Sequence, residues 1–193
     1  MNPIQELITN FQALVAQVPE IVQPFIVMLA GAIPFIEGEG AAVIGIAGGI
    51  PLIITAIAAA AGNFLSVLIV VIFTSRARSA VVNHTRARRE ALVGAGGVGG
   101  MSDDGRLEGT DLAPAKPESK GRLRFKRWLV RFGVPGASIL GPLAIPTQFT
   151  SAFLVASGTP RRWVLLWQAV AIALWTTVAT VSAWAALTFL VGV

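Results

Sequence analysis

The chain has 193 residues, 54% of them hydrophobic and 13% charged, with a mean hydropathy of +0.73. That balance is too apolar for a water-soluble domain of this length and points to an integral membrane protein. The absence of cysteine excludes a disulfide framework and thiolate metal or redox centres, and the net charge of +5 is confined to one region in a way that argues against nucleic acid as a partner.

All fifteen Lys and Arg residues fall between Arg76 and Arg162, and none precedes Arg76. Basic residues flanking membrane segments stay on the cytoplasmic side, so the region 75–131 is expected to be cytoplasmic and the protein a multi-pass component of the cell inner (plasma) membrane. The N-terminus, Met-Asn-Pro-Ile-Gln-Glu, lacks the positive n-region of a secretory signal, and no cleaved signal peptide is expected.

Residues 1–20 place Ile4, Leu7, Ile8, Phe11, Leu14, Val15 and Val18 at helical spacing opposite Gln5, Glu6, Thr9, Asn10 and Gln12, which predicts an amphipathic N-terminal helix lying at the interface or packed on the bundle. Residues 21–74 then form a first unit. Its apolar run is broken by Pro34-Phe-Ile-Glu37-Gly-Glu39-Gly40, resumes, and after Gly49-Ile-Pro51 continues uncharged to Thr74, long enough to cross about 30 Å of hydrocarbon as a helix. Proline removes a backbone donor and glycine weakens a helix by about 1 kcal/mol, so the break predicts a helix, a turn and a second helix, that is, a re-entrant hairpin. Asn63, inside the long run, is expected to hydrogen-bond a neighbouring helix or the hairpin tip.

Residues 75–131 turn to Arg, Gly, Asp, Pro and Ser, and predict a flexible basic cytoplasmic loop with one short helix at 75–92. Its Gly94–Gly100 run lacks the Lys-Ser/Thr ending of a phosphate loop, and Arg122, Arg124, Lys126, Arg127 and Arg131, with Phe125 and Trp128, suit an anionic leaflet surface. The lone His84 reads as a solvated loop residue. Residues 132–193 form a second unit: an uncharged segment broken by Gly141, Pro142 and Pro146, the turn Gly158-Thr-Pro160-Arg161-Arg162, and an uncharged run from Trp163 to Val193. Trp163 and Trp167 suit an interfacial belt, with Trp175 and Trp184 deeper.

The two units correspond. Gly31-Ala-Ile-Pro34 aligns with Leu143-Ala-Ile-Pro146, and Gly49-Ile-Pro51 with Gly158-Thr-Pro160. With Arg76, Arg131 and Arg161-Arg162 all cytoplasmic, the two hairpins dip from opposite faces. The expected fold is therefore all-α and integral to the membrane, an inverted repeat of two units, each a re-entrant helical hairpin followed by a transmembrane helix. Four full spans, with Arg161 and Arg162 outside, are the competing topology.

Pro34-Phe-Ile-Glu-Gly-Glu-Gly-Ala-Ala-Val43, Ala47-Gly-Gly-Ile-Pro51 and Ala61-Gly-Asn63 together resemble the small multidrug export protein family. The second unit also looks like the related DedA/VTT-domain membrane proteins, in which a hairpin precedes a Pro-Arg-Arg-like turn and a Trp-bearing helix. The resemblance implies a transporter-like protein in which Glu37 takes the family glutamate. Glu39 falls where that family has arginine, and Gln148 or its neighbours fall where DedA-type proteins carry one. Lacking a cation at either tip, the chain is expected to favour a cationic or protonated substrate over a lipid phosphate.

A carboxylate at bilayer depth costs about 2.5 to 3.5 kcal/mol on insertion scales, so a pair needs a polar cavity, a partner or bound protons. Glu37 and Glu39 at the first tip, facing Thr147, Gln148, Thr150 and Ser151 at the second, are the candidate substrate or proton site, with Pro34, Asn63 and Pro146 in support. The plainer alternative sets Glu39 against the dipole of its own helix, with Glu37 in water, and has the second-tip hydroxyls satisfying freed carbonyls. The expected function is proton-coupled export of small amphiphilic or cationic compounds; a lipid or lipid-carrier flippase of DedA type and a non-transporting membrane scaffold are the alternatives. No metal-ligand cluster or Ser/His/Asp set is present, so no catalytic residue, metal or cofactor is expected. The partners expected are the bilayer, a small-molecule or lipid substrate and, because four embedded segments are few for a sealed pathway, a second copy of the chain.

Overall fold

The computed structural model describes residues 3–95 and 133–191, and among them every regular element is helical. Helix α1 (Pro3–Val15) buries Ile8 and leaves Ile4, Leu7 and Leu14 exposed. Its end is tied down by Gln23, whose amide donates to the carbonyls of Val15 and Val18. Helix α2 (Gln23–Gly31) begins with Pro24 in its first turn, where a missing N–H is harmless. The chain breaks at 32–36 around Pro34 and resumes as α3 (Glu37–Ala47), which packs back on α2 to close a hairpin. Phe35 within the break and Glu37 at its end stand at φ 70° and 52°, a left-handed conformation that costs a side-chain-bearing residue about 1–2 kcal/mol.

A turn at Gly49 (φ 79°) and Pro51 leads into α4 (Leu52–Ala95), a 44-residue helix. The domain boundary expected at Ser75 therefore falls inside a helix. The expected short basic helix exists, but as the uninterrupted continuation of the apolar run, because no proline or glycine stands between Asn63 and Val93 to stop it. The rest of the expected basic loop, including the Arg122–Arg131 group, lies outside the described residues.

The second unit repeats the pattern. Helix α5 (Val134–Leu140) ends in a 3-10 turn (Gly141–Leu143), Pro146 is extended at ψ 141°, and α6 (Thr147–Ala156) follows. A turn at Gly158 (φ 95°) and Pro160 opens α7 (Arg161–Ala186), which finishes in a π-helical turn (Leu187–Val191). Gly49 and Gly158 hold the same left-handed conformation two residues before a proline, the conformation glycine adopts without penalty. Two helices are long and apolar enough to cross a membrane, one within α4 and one spanning α7 and its extension.

Helices α4 and α7 pack on each other along the centre, with α2 and α3 against one part and α5 and α6 against another. The interior is layered. Val27, Ala41, Ala42, Ile50, Ala58 and Ala59 form one apolar cluster; Val67, Val71, Val134, Val155, Val164 and Ile172 form a second. Along α4, Asn63 lies between them, and along α7 so does Thr176. Both are fully buried. Trp175 donates its indole N–H to the Ile139 carbonyl at 2.7 Å, satisfying an acceptor left free where α5 ends, while Trp184 sits near the far end of α7 against Phe189.

The hairpin reaches this layer because α2 lies unusually close to α4: a Cβ added at Gly62 would fall onto the Met28 carbonyl, and one at Gly31 would come within 2.6 Å of the Ala59 carbonyl. Gly62→Ala is therefore expected to lower stability by about 3 kcal/mol or more, as forced overpacking does. Gly136→Ala, which would meet nothing within 4 Å, should be neutral or slightly stabilising. Thermal unfolding of the two purified variants side by side checks the contrast.

Candidate functional site

The two breaks meet. Glu37, the first residue of α3, is only 6% exposed, and its carboxylate touches the first residue of α6, 110 positions away. The backbone N–H of Thr147 donates to Glu37 Oε1 at 2.5 Å, and the Thr147 hydroxyl lies 2.8 Å from the same oxygen. The N–H groups of a helix's first turn have no acceptor within the helix, so the carboxylate satisfies a donor that the break at Pro146 leaves orphaned. In return the buried acid gains the hydrogen bonds it needs to be tolerated there.

Around this pair stands a connected set of amides and hydroxyls. Thr147 Oγ1 is 2.9 Å from Asn63 Oδ1, Gln148 donates its amide to Ser66 Oγ at 2.9 Å, and Ser66 donates to the Asn63 carbonyl at 2.8 Å. A hydroxyl has one proton, so Thr147 cannot donate to Glu37 and Asn63 together. If it donates to an ionised Glu37, Asn63 Oδ1 keeps only the Gln148 amide, 3.5 Å away, as its donor, and the Asn63 N–H2 stays without a partner among the described residues. If Glu37 carries a proton and donates it to Thr147, the hydroxyl is released to donate to Asn63. The charge on Glu37 thus selects between two hydrogen-bond patterns reaching α4.

The remaining predicted residues divide. Gln148 belongs to the network. Ser151 is fully buried, but its hydroxyl bonds the Thr147 carbonyl one turn back at 2.6 Å, which is support for the start of α6. Thr150 lies half-buried beside Gly141, where it packs the second break. Pro34 and Pro146 shape the two breaks, with Pro34 exposed and Pro146 preceding the helix that carries Thr147. Glu39 is half-buried in the first turn of α3, and among the described residues no hydrogen bond joins it to the second break. The two acids therefore hold different positions. The plainer alternative has its parts reversed for Glu37, which is buried rather than in water, whereas Glu39 does stand where the positive end of α3 favours an anion.

Ser66, Thr176 and Gln168 are functional candidates that motif reasoning passes over. Thr176 packs against Gly38 so tightly that a Cβ there would overlap its hydroxyl, and Gln168 is fully buried two turns earlier on the same face of α7. Neither side chain has a hydrogen-bond partner among the described residues. The signal was available in the sequence: Gln168, Thr176 and Thr180 recur at multiples of four in an otherwise apolar run, the spacing of one helical face. At the outer edge of the site Phe35 of the first break and Phe149 of the first turn of α6 meet edge to face with centroids 6.2 Å apart.

Thr147→Val is expected to cost about 1–3 kcal/mol, because it strips a partner from both Glu37 and Asn63. Thr147→Ser should retain most of the stability. In a double-mutant cycle, Glu37→Gln and Thr147→Val should couple by about 0.5–3 kcal/mol, measured by unfolding in detergent; additive effects would show that the two side chains are independent. Comparison of the chain with protein-family models, curated proteins and solved structures finds no match, so the geometry of this site carries the functional assignment.

Proposed function

We propose that the chain is a small integral membrane transporter of the inner membrane, with Glu37 as the proton-carrying group of a midplane site between two re-entrant hairpins. The observation that carries this is a buried carboxylate bridging the two breaks through Thr147. Membrane residence is supported by an inside-out pattern. On α4, Thr55 and Asn63 are buried while Ile53, Ile57, Leu65, Ile69 and Phe73 are exposed; on α7, Gln168, Thr176 and Thr180 are buried while Leu166, Val170, Leu174 and Val178 are exposed. Soluble proteins rarely expose apolar surface so continuously, whereas lipid solvates it without cost.

Depth and topology are argued from helix geometry. Asn63 and Thr176 stand the same number of residues from Arg78 and Arg161 respectively, about 22 Å along either helix at 1.5 Å per residue. Arg78 and Gly158 are in contact, so the end of the second hairpin and the charged end of α4 share one face, in keeping with an inverted repeat and a cytoplasmic Arg161-Arg162. Broken helices at membrane depth need partners for the backbone groups they free, and here the carboxylate of the first break takes the N–H that the second leaves open.

Proton coupling follows from the two hydrogen-bond patterns. Protonation of Glu37 turns the Thr147 hydroxyl toward Asn63, and deprotonation turns it back, which links the charge of the site to the contact between α6 and α4. An anionic Glu37 with Glu39 nearby attracts a cationic amphiphile; a protonated one releases it. The exposed Phe35–Phe149 pair offers such a compound an apolar face beside the acid. The resemblance to the small multidrug export proteins agrees with this substrate class.

Two measurements test the proposal. In the cysteine-free chain, Ser79→Cys and Ser157→Cys should react with a membrane-impermeant maleimide from the cytoplasmic side and Thr188→Cys from the opposite side; opposite-side labelling of residues 79 and 157 would refute the topology. In proteoliposomes with an imposed pH gradient, a panel of cationic amphiphiles and labelled phospholipids should include a substrate whose movement depends on the gradient. Glu37→Gln, which keeps the shape and loses the charge, should abolish that dependence while unfolding at a similar temperature. Unchanged flux would remove Glu37 from the mechanism, and gradient-independent movement of phospholipid alone would identify a flippase.

A further inference from the structure

At the charged end of the molecule α4, the α6–α7 turn and the first turn of α7 line an open cleft of about 350 Å³. Its polar lining consists of Ser75, Arg78, Ser79, Thr159, Arg161 and Arg162. Arg78 of α4 and Arg161 and Arg162 of α7 all line it, and among the described residues none of the three forms an ion pair. The placement of Arg78 is built into the backbone. Gly158 takes φ 95°, and the Arg78 guanidinium nitrogen lies 2.8 Å from where its Cβ would be, so the arginine rests directly on the turn and any side chain at 158 would displace it.

We propose that this cleft binds a phosphate monoester anion. Three arginines lining one cleft repel one another unless an anion lies among them, and the planar fork of arginine matches the oxygens of phosphate in pairs. A dianion answers three cations better than a carboxylate or a monoanionic diester, and the hydroxyls of Ser75, Ser79 and Thr159 supply donors for the remaining oxygens. Free phosphate and a lipid headgroup with a terminal phosphate present the same chemistry. The site is independent of the transport proposal, lying about 22 Å along α4 from the layer that holds Glu37.

The test uses the full chain purified in neutral detergent. Its unfolding temperature is followed during titration with inorganic phosphate and, separately, with dihexanoyl phosphatidic acid, at constant ionic strength, against chloride and dihexanoyl phosphatidylcholine. Phosphatidic acid is expected to raise the midpoint saturably, and the two comparators are not. Equal affinity for inorganic phosphate identifies free phosphate as a sufficient ligand, whereas a response to phosphatidic acid alone identifies the lipid as the source. Arg78→Gln and Arg161→Gln should each weaken binding about tenfold, or about 1.4 kcal/mol, and Gly158→Val should do the same by displacing Arg78. Arg86→Gln, on the same helix outside the cleft, should bind as the parent chain does. Equal stabilisation by chloride, or undiminished binding by the Arg78→Gln/Arg161→Gln double variant, overturns the proposal.

Discussion

The bond between the Glu37 carboxylate and the first turn of α6 is the constraint on which the rest of the arrangement depends. Each unit contains a break that neither unit can satisfy alone. The second leaves a helix start with an orphaned N–H, and the first contributes an acid that cannot stay buried unpartnered. Bringing the two together removes both costs at once. That requirement explains the close packing of α2 on α4 at Gly62 and of α3 on α7 at Gly38, since bulkier residues at either position would hold the first break away from the second. It also explains why Glu37 accepts an unfavourable left-handed backbone: the contacts of its side chain outweigh a local strain of about 1–2 kcal/mol.

The layering around this bond gives it chemical significance. Apolar clusters on both sides keep water away from Asn63, Thr147 and Thr176, so the local dielectric is low and each hydrogen bond matters more than it would at a surface. A neutral acceptor would have joined the two breaks with less desolvation. An acid instead places a charge-bearing acceptor against the one hydroxyl, that of Thr147, which also reaches Asn63. Unpartnered polar groups on the inner face of α7 continue the polar interior away from the junction.

Charge divides the molecule lengthwise. Among the described residues the layer holding Glu37 contains no cation, whereas at the end where α4 and α7 meet the α6–α7 turn three arginines line one cleft. An arginine near the acid would neutralise it permanently, and an acid near the arginines would occupy the anion site. The length of α4 keeps the two chemistries apart, and each can act without disturbing the other.

The uncharged apolar runs determined the long helices, and Pro34, Pro51, Pro146 and Pro160 marked where helices stop or start, because a missing donor acts locally, whereas Gly38 and Gly62 lie inside helices and serve packing. The same residues made Glu37, Asn63 and Thr147 visible as candidates. Tertiary structure decided which of two acids only two positions apart is buried in the junction. Glu37 and Glu39 differ little in sequence context, and only the left-handed turn at the start of α3 sends one to α6 and leaves the other on the flank. It also decided that Arg78 rests on the turn at Gly158 and that Gly38 lies against Thr176. These are relations between residues far apart in the chain, and no local preference encodes a distance that packing alone creates.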